Sequence, residues 1–144
     1  MRQILVADDD PVYQDLLRDL LEEWGYETIV VGDGEAAWDM LQRDSAPKLV
    51  ILDWMMPGVD GFEICRRLRA DNQKQDVYVL LLTASRMEDE IIKVLVAGAD
   101  DFLLKPFQPL ELKIHLRAAN RILDLQEELY SERQERGRSC QRRA

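Results

Sequence analysis

Five short apolar runs, rich in β-branched residues, punctuate the chain: Ile4–Ala7, Thr28–Val31, Leu49–Leu52, Val77–Leu82 and Phe102–Leu104. Between them the apolar positions fall at helical spacing. Pro11 to Trp24 places Val12, Leu16, Leu17, Leu20, Leu21 and Trp24 near a 3.6-residue period, and Gly25 stops it. Gly34 to Arg43 carries Ala36, Ala37, Met40 and Leu41, and Gly61 to Ala70 carries Phe62, Ile64, Cys65 and Leu68. Glu88 to Ala97 carries Ile91, Ile92, Leu95 and Val96, closed by Gly98, and a last pattern starts near Pro109 and runs past Leu129. Strand and helix therefore alternate five times, which predicts an α/β fold. The strand runs are apolar along their length, as a parallel sheet covered on both faces demands. Its connections must cross over right-handed.

In an open parallel sheet, ligands bind beyond the carboxyl ends of the strands. The first run ends in Asp8 and Asp9, and the third in Asp53, within "LVILDWMMPGVDG". The fourth ends in Thr83, within "LLLTAS", and the fifth in Lys105, within "DFLLKPF". Three carboxylates, a hydroxyl and an ammonium converge on one edge. Neighbouring carboxylates repel, and a hard cation among them relieves this; such oxygen ligands suit Mg²⁺. Mg²⁺ held by few protein oxygens keeps positions for water and phosphate. Lys105 and Thr83 then offer donors to phosphate oxygens. Asp53 is left as a nucleophile able to form an acyl phosphate. Asp8 and Asp9 alone would read as solubilising residues at a strand end; Asp53, Thr83 and Lys105 at the same edge give them a shared task.

The motifs "VADDDP", "LDWMMPGVDG", "LLTA" and "GADDFLLKPF", spread over Arg2 to Asp124, resemble in order and spacing the receiver domain of bacterial two-component response regulators. The resemblance implies a flavodoxin-like (βα)5 doubly wound sheet with strand order 2-1-3-4-5. It makes Asp53 the phosphoacceptor. It gives Mg²⁺, with Mn²⁺ as a substitute, to Asp8, Asp9, Asp53 and the Met55 backbone carbonyl, Asp9 ligating directly and Asp8 through water. Thr83 and Lys105 would bond the phosphoryl group, and the bond before Pro106 would be cis. Phe102 would turn inward when Thr83 moves, past the small Ala84. The implied partner is a sensor histidine kinase or phosphotransfer protein, and the implied place is the cytoplasm. The implied role is a switch that promotes its own phosphorylation and slow autodephosphorylation. Loss of phosphate would be slow because Met55 and Ser85 offer little to orient an attacking water. Asp10 falls outside the acid pair and, beside Pro11, reads as a helix N-cap. Asp60, Asp100 and Asp101 read as turn or cap residues. The rival class is an aspartyl-phosphate phosphohydrolase of haloacid dehalogenase type. Its nucleophile strand reads D-x-D, whereas Met55 stands two residues past Asp53.

Net charge changes the list of partners. At −9, the chain is a poor match for direct contact with nucleic acid or an anionic membrane. From Ser131 onward the sign reverses, with five Arg against two Glu. No apolar run spans a bilayer and no signal-peptide pattern occurs. Cys65 and Cys140 form no CxxC and read as free thiols of a reducing cytosol. His115, the only histidine, has no acid directly after it, and no Gly-rich ATP signature exists, so it reads as a helix-surface residue. No helix-turn-helix or catalytic motif follows Leu125. The chain divides into a receiver over 1–124 and a helical connector with a basic polar tail over 125–144. In that last helix Ile122, Leu125 and Leu129 recur at three and four residues, and Ala118 and His115 extend the seam backwards. This is coiled-coil spacing over barely two heptads. A short helix is marginal in water, so the stripe needs a partner: the receiver's own surface or the same helix of a second chain. The polar tail favours the homodimer.

Overall fold

The computed structural model describes residues 2–84 and 87–143, with side chains at all of these but 94 and 135–143. Ser85 and the Cys140 side chain lie outside the described residues. The elements are β1 (Gln3–Ala7), α1 (Pro11–Glu23), β2 (Glu27–Val31), α2 (Gly34–Leu41), β3 (Leu49–Asp53), α3 (Gly61–Ala70), β4 (Tyr78–Thr83), α4 (Glu88–Ala97), β5 (Asp101–Leu104) and α5 (Pro109–Arg143). All strand pairs are parallel, in the order β2-β1-β3-β4-β5.

Alternate strand residues feed two separate cores, because side chains along a strand point to opposite faces. Ile4, Val6, Leu49, Ile51, Leu80 and Leu82 pack with Leu17 and Leu21 of α1 and Leu112 and Leu116 of α5. Leu5, Ala7, Val50, Leu52, Val79 and Leu81 pack with Ala37 and Leu41 of α2 and Ile64 and Leu68 of α3. The strands are apolar throughout because both faces are covered. Edge strand β2 departs from this: Thr28 to Val31 are only half-buried, since one side has no neighbouring strand.

Three helices start on an aspartate, whose carboxylate accepts from an otherwise unpaired backbone N–H. Asp10 accepts from Val12, Asp33 from Ala36 and Asp60 from Glu63. Helix α4 differs from its sequence pattern. Ile92, Leu95 and Val96, expected on the core-facing side, are exposed. The helix lies beside the four-residue edge strand β5, which offers little surface to cover them. The C-terminal end of α4 is nonetheless fastened. Arg69 of α3 donates to the Gly98 carbonyl at 2.8 Å and pairs with Asp100 at 2.7 Å. Gly98 has φ +108, and a Cβ there would strike the Arg69 side chain.

Helix α5 is 35 residues long, about 52 Å at the α-helical rise. It runs without a break through the 124/125 boundary expected between receiver and connector. Its sheet-facing stripe is Leu112, Leu116, Ala119 and Leu123, a face the sequence reading did not single out. Arg2, just before β1, holds the helix further along, through Asp124 at 2.5 Å and Glu127 at 3.1 Å.

The two faces of α5 differ measurably in what they contribute. Leu116 is 1% exposed and Ile114 is 59% exposed. Urea unfolding should show Leu116→Ala losing about 2–5 kcal/mol, by lost burial and the cavity left behind. Ile114→Ala should stay within about 0.5 kcal/mol of the parent chain. Equal losses would mean that α5 is rotated from the orientation described.

Candidate functional site

The sheet order and register bring the strand-end residues together. β3 and β4 each run one residue beyond their apolar runs, so Asp53 and Thr83 are the last residues of two adjacent strands. Asp8 directly follows β1, and its backbone N–H donates to the Val31 carbonyl at 3.2 Å, continuing the ladder. Lys105 follows β5 and donates its backbone N–H to the Thr83 carbonyl at 2.8 Å. The Lys105–Pro106 peptide is cis.

Lys105 Nζ sits 2.7 Å from Asp8 Oδ2 and 3.3 Å from Asp53 Oδ1. Asp8, Asp53 and Thr83 are buried, whereas Asp9 is exposed. One carboxylate oxygen from each of Asp8, Asp9 and Asp53 lies within 4.8 Å of the others. Asp8 is further held by the Asp10 backbone N–H, which donates to its Oδ1 at 2.9 Å. Gln14 donates to the Asp8 carbonyl at 2.7 Å. Three carboxylates thus face one ammonium. The all-oxygen donor set and its excess of negative charge fit a small, hard dication such as Mg²⁺.

The acids are strained by their company. Asp53 is pushed up from 3.8 to about 6, first by burial, with Lys105 opposing and the charges of Asp8 and Asp9 adding to the rise. Burial by itself would lower Lys105, but its hydrogen bond to Asp8 and the charge of Asp53 outweigh this, and it is raised. A carboxyl with a raised folded-state pKa binds its proton more tightly folded than unfolded. Without a cation, Asp53 therefore makes the fold less stable as pH climbs from about 4 through about 6.

Around this cluster lie residues that the sequence reading passed over. Tyr13 of α1 presents its ring 4.0 Å from Lys105 Nζ, and Tyr13 meets Phe107 at 6.0 Å between ring centroids. The tyrosine stands 4, 7 and 11 residues before Leu17, Leu20 and Trp24 and shares their core-facing side, whereas Val12, named by the sequence pattern, is exposed; the packing of α1 against the β5–α5 loop sets the ring beside Lys105. Gly61 reads as turn punctuation, yet a Cβ there would stand 2.6 Å from the Asp53 carbonyl oxygen. It is the residue that lets the chain pass close behind Asp53. Asp101 is no turn residue: it opens β5 and its carboxylate contacts His115 Nδ1. His115 is accordingly half-buried against β5, not free on the helix surface. Asp100, likewise read as a turn or cap, accepts from the Val79 backbone N–H at 2.7 Å besides pairing with Arg69.

The remaining sequence candidates are placed as follows. The Met55 side chain is exposed, so no carboxyl stands two residues past Asp53 as a D-x-D phosphohydrolase requires. Ala84 is exposed. Phe102 is partly buried against the second core and sits opposite Leu81, two register steps before the Thr83–Leu104 pair. Trp54 packs on Phe62, with ring centroids 6.4 Å apart. Among the described residues, no helix is long and apolar enough to cross a membrane.

Comparison with known proteins gives the same answer as the geometry. The family model described as Response regulator receiver domain matches residues 4–117. The DNA-binding response regulator MtrA of Mycolicibacterium smegmatis is 44% identical over 119 residues, 82% of this chain and 50% of MtrA. The phosphate regulon transcriptional regulatory protein PhoB of Pseudomonas aeruginosa is 38% identical over 120 residues, 83% of this chain and 52% of PhoB. The chain thus spans about half the length of the curated relatives it matches. Among solved structures, the receiver domain of a Pseudomonas aeruginosa sensor histidine kinase, with magnesium coordinated in its active-site cleft, superimposes with TM-score 0.74. That match is 30% identical and covers 85% of this chain and 98% of that one. With the acid cluster, the lysine and the strand order in place, the match over most of its length makes this chain a member of the response regulator receiver domain family, a phosphorylation-dependent signalling switch.

Proposed function

We propose that Asp53 accepts a phosphoryl group from the phosphohistidine of a sensor histidine kinase or phosphotransfer protein in the cytoplasm. The observation that carries this is Lys105 Nζ bridging Asp8 and Asp53 at 2.7 and 3.3 Å beside the exposed Asp9. A carboxylate oxygen of Asp53 attacks phosphorus; the phosphorus–nitrogen bond breaks and its electron pair stays on the imidazole nitrogen. Asp53 must be ionised to attack, and with its pKa at about 6 it is largely so at neutral pH. The Lys105 ammonium, already aimed at Asp53, turns from carboxylate to phosphoryl oxygen. The Thr83 hydroxyl closes on the other side. Asp8, Asp9, Asp53 and the Met55 carbonyl would hold Mg²⁺, or Mn²⁺ in its place, which would supply positive charge against the phosphoryl oxygens. Of the two acids of the pair, Asp9 would ligate directly and Asp8 through water.

The movement of Thr83 then frees space for Phe102, with the small Ala84 beside the path. β4 leads from Thr83 toward α4, whose far end is fastened by Arg69, so the change is delivered to α4, β5 and the first turns of α5. Residues 1–124 act as the receiver and 125–144 as its connector and basic tail. DNA binding is in the name of the whole MtrA relative, of which the match covers half. With a net charge of −9, this chain makes no direct contact with nucleic acid on the present reading. Autodephosphorylation is slow, because Met55 offers no hydrogen bond to an attacking water.

Incubation with acetyl phosphate and Mg²⁺ should add one phosphoryl group by intact mass. Asp53→Asn should remain unlabelled, and equal labelling of that variant would overturn the assignment. Millimolar Mg²⁺ should raise the melting temperature by mass action, and Asp9→Ala should lose most of that rise. In chelator, stability should fall as pH rises from about 4 to about 6, and Asp53→Asn should flatten that slope, worth roughly 2 kcal/mol. A parent chain indifferent to both Mg²⁺ and pH would rule out the cation site. Beryllofluoride, which imitates the phosphoryl group, should shift NMR signals in α4, β5 and early α5. Shifts confined to the Asp53 pocket would leave no switch.

A further inference from the structure

We propose that residues 118–133 of α5 pair with the same segment of a second copy as a parallel two-stranded coiled coil. Ile122, Leu125 and Leu129 are 42, 50 and 54% exposed, and Ala118 continues their stripe. At about 100° per residue, this stripe lies roughly 110° around the helix from Leu112, Leu116, Ala119 and Leu123. The domain's own core fills the second stripe. Arg2 grips a third side through Asp124 and Glu127, which fixes the helix against rotation. Leu125 borders a cleft with Trp24 and Tyr26, and Leu129 one with Lys48 and Asp76, yet both stay half exposed, so the receiver covers the stripe only in part.

Charge points to the occupant. With Ile122 and Leu129 at a and Ala118 and Leu125 at d, Glu128 falls at g and Arg133 at e. In a parallel pair each g side chain faces the e position of the next heptad on the other strand. Glu128 of one copy then meets Arg133 of the second copy, and the reverse. An antiparallel pair centred on the stripe would set Glu128 beside Arg121 of the second copy, so a second copy is complementary in charge in either direction, and exchange of Glu128 with Arg133 separates the two. The helix also needs no new nucleus, since residues 109–123 are already ordered on the sheet. The apolar core of the coil ends where Glu132 occupies d.

Sedimentation equilibrium of the full chain should show mass rising toward a dimer with concentration. Leu125→Asp with Leu129→Asp should weaken association at least about tenfold per residue while acetyl phosphate still labels the chain. Glu128→Arg should weaken it about 2–5-fold, and Glu128→Arg with Arg133→Glu should restore it. For orientation, Leu129→Cys in a Cys140→Ser background should form a 129–129 disulfide dimer on oxidation, since an antiparallel pair would set residue 129 against 118. A monomer at high micromolar concentration, a dimer that survives both aspartates, or a dimer without the 129–129 disulfide would each overturn the proposal. Failure of labelling at Asp53 would leave it standing, because association needs no phosphate.

Discussion

Lys105 is the counterion on which the arrangement of the site depends. Asp8 is fully buried and Asp53 nearly so, and a buried carboxylate without a partner is costly. One ammonium within 2.7 and 3.3 Å of the two makes their proximity tolerable but leaves the cluster with an excess of negative charge. That residual charge suits a dication, without which it would repel an anionic phosphoryl group. The lysine is held by its surroundings: its backbone is tied to Thr83, and its ammonium lies over the Tyr13 ring. Strand β5 and helix α1 are thereby joined through the same side chain that answers the acids.

The two cores explain how such a cluster can exist at the edge of a small domain. Each central strand is sealed on both faces, so the strand ends cannot drift relative to one another. Asp53 and Thr83 close adjacent strands in fixed register. Gly61 lets the following segment pass close behind Asp53, where any side chain would push it away. Packing on one side and mutual repulsion on the other leave the carboxylates poised.

Helices α4 and α5 both leave apolar side chains in solvent. Helix α4 exposes Ile92, Leu95 and Val96 and is fastened at its C-terminal end by Arg69. Its N-terminal end follows the strand that carries Thr83. In the switch proposed above, a helix anchored at one end and connected to the site at the other would serve as a lever. Helix α5 is divided lengthwise instead: one stripe belongs to the core, another faces solvent, and Arg2 pairs with Asp124 and Glu127 on a third side.

Much of this was legible in the sequence. Apolar runs and helical spacing placed all ten elements within a residue or two along the body of the fold, because burial on both faces leaves a strong periodic signal. Asp8, Asp9, Asp53, Thr83 and Lys105 were legible because each stands where an apolar run ends, and parallel strands bring such ends together. Asp10 and Asp60 announced helix starts. What the sequence could not carry were contacts between residues distant along the chain. Tyr13 beneath Lys105, Asp101 against His115, Arg69 across Gly98 and Arg2 on α5 have ordinary local contexts. The exposed face of α4 was also hidden, since periodicity reports an apolar stripe but not whether the neighbouring strand is wide enough to cover it. Local pattern determined which elements form; the tertiary structure decided which charges share a partner and which apolar faces stay open, because both depend on distances that only packing sets.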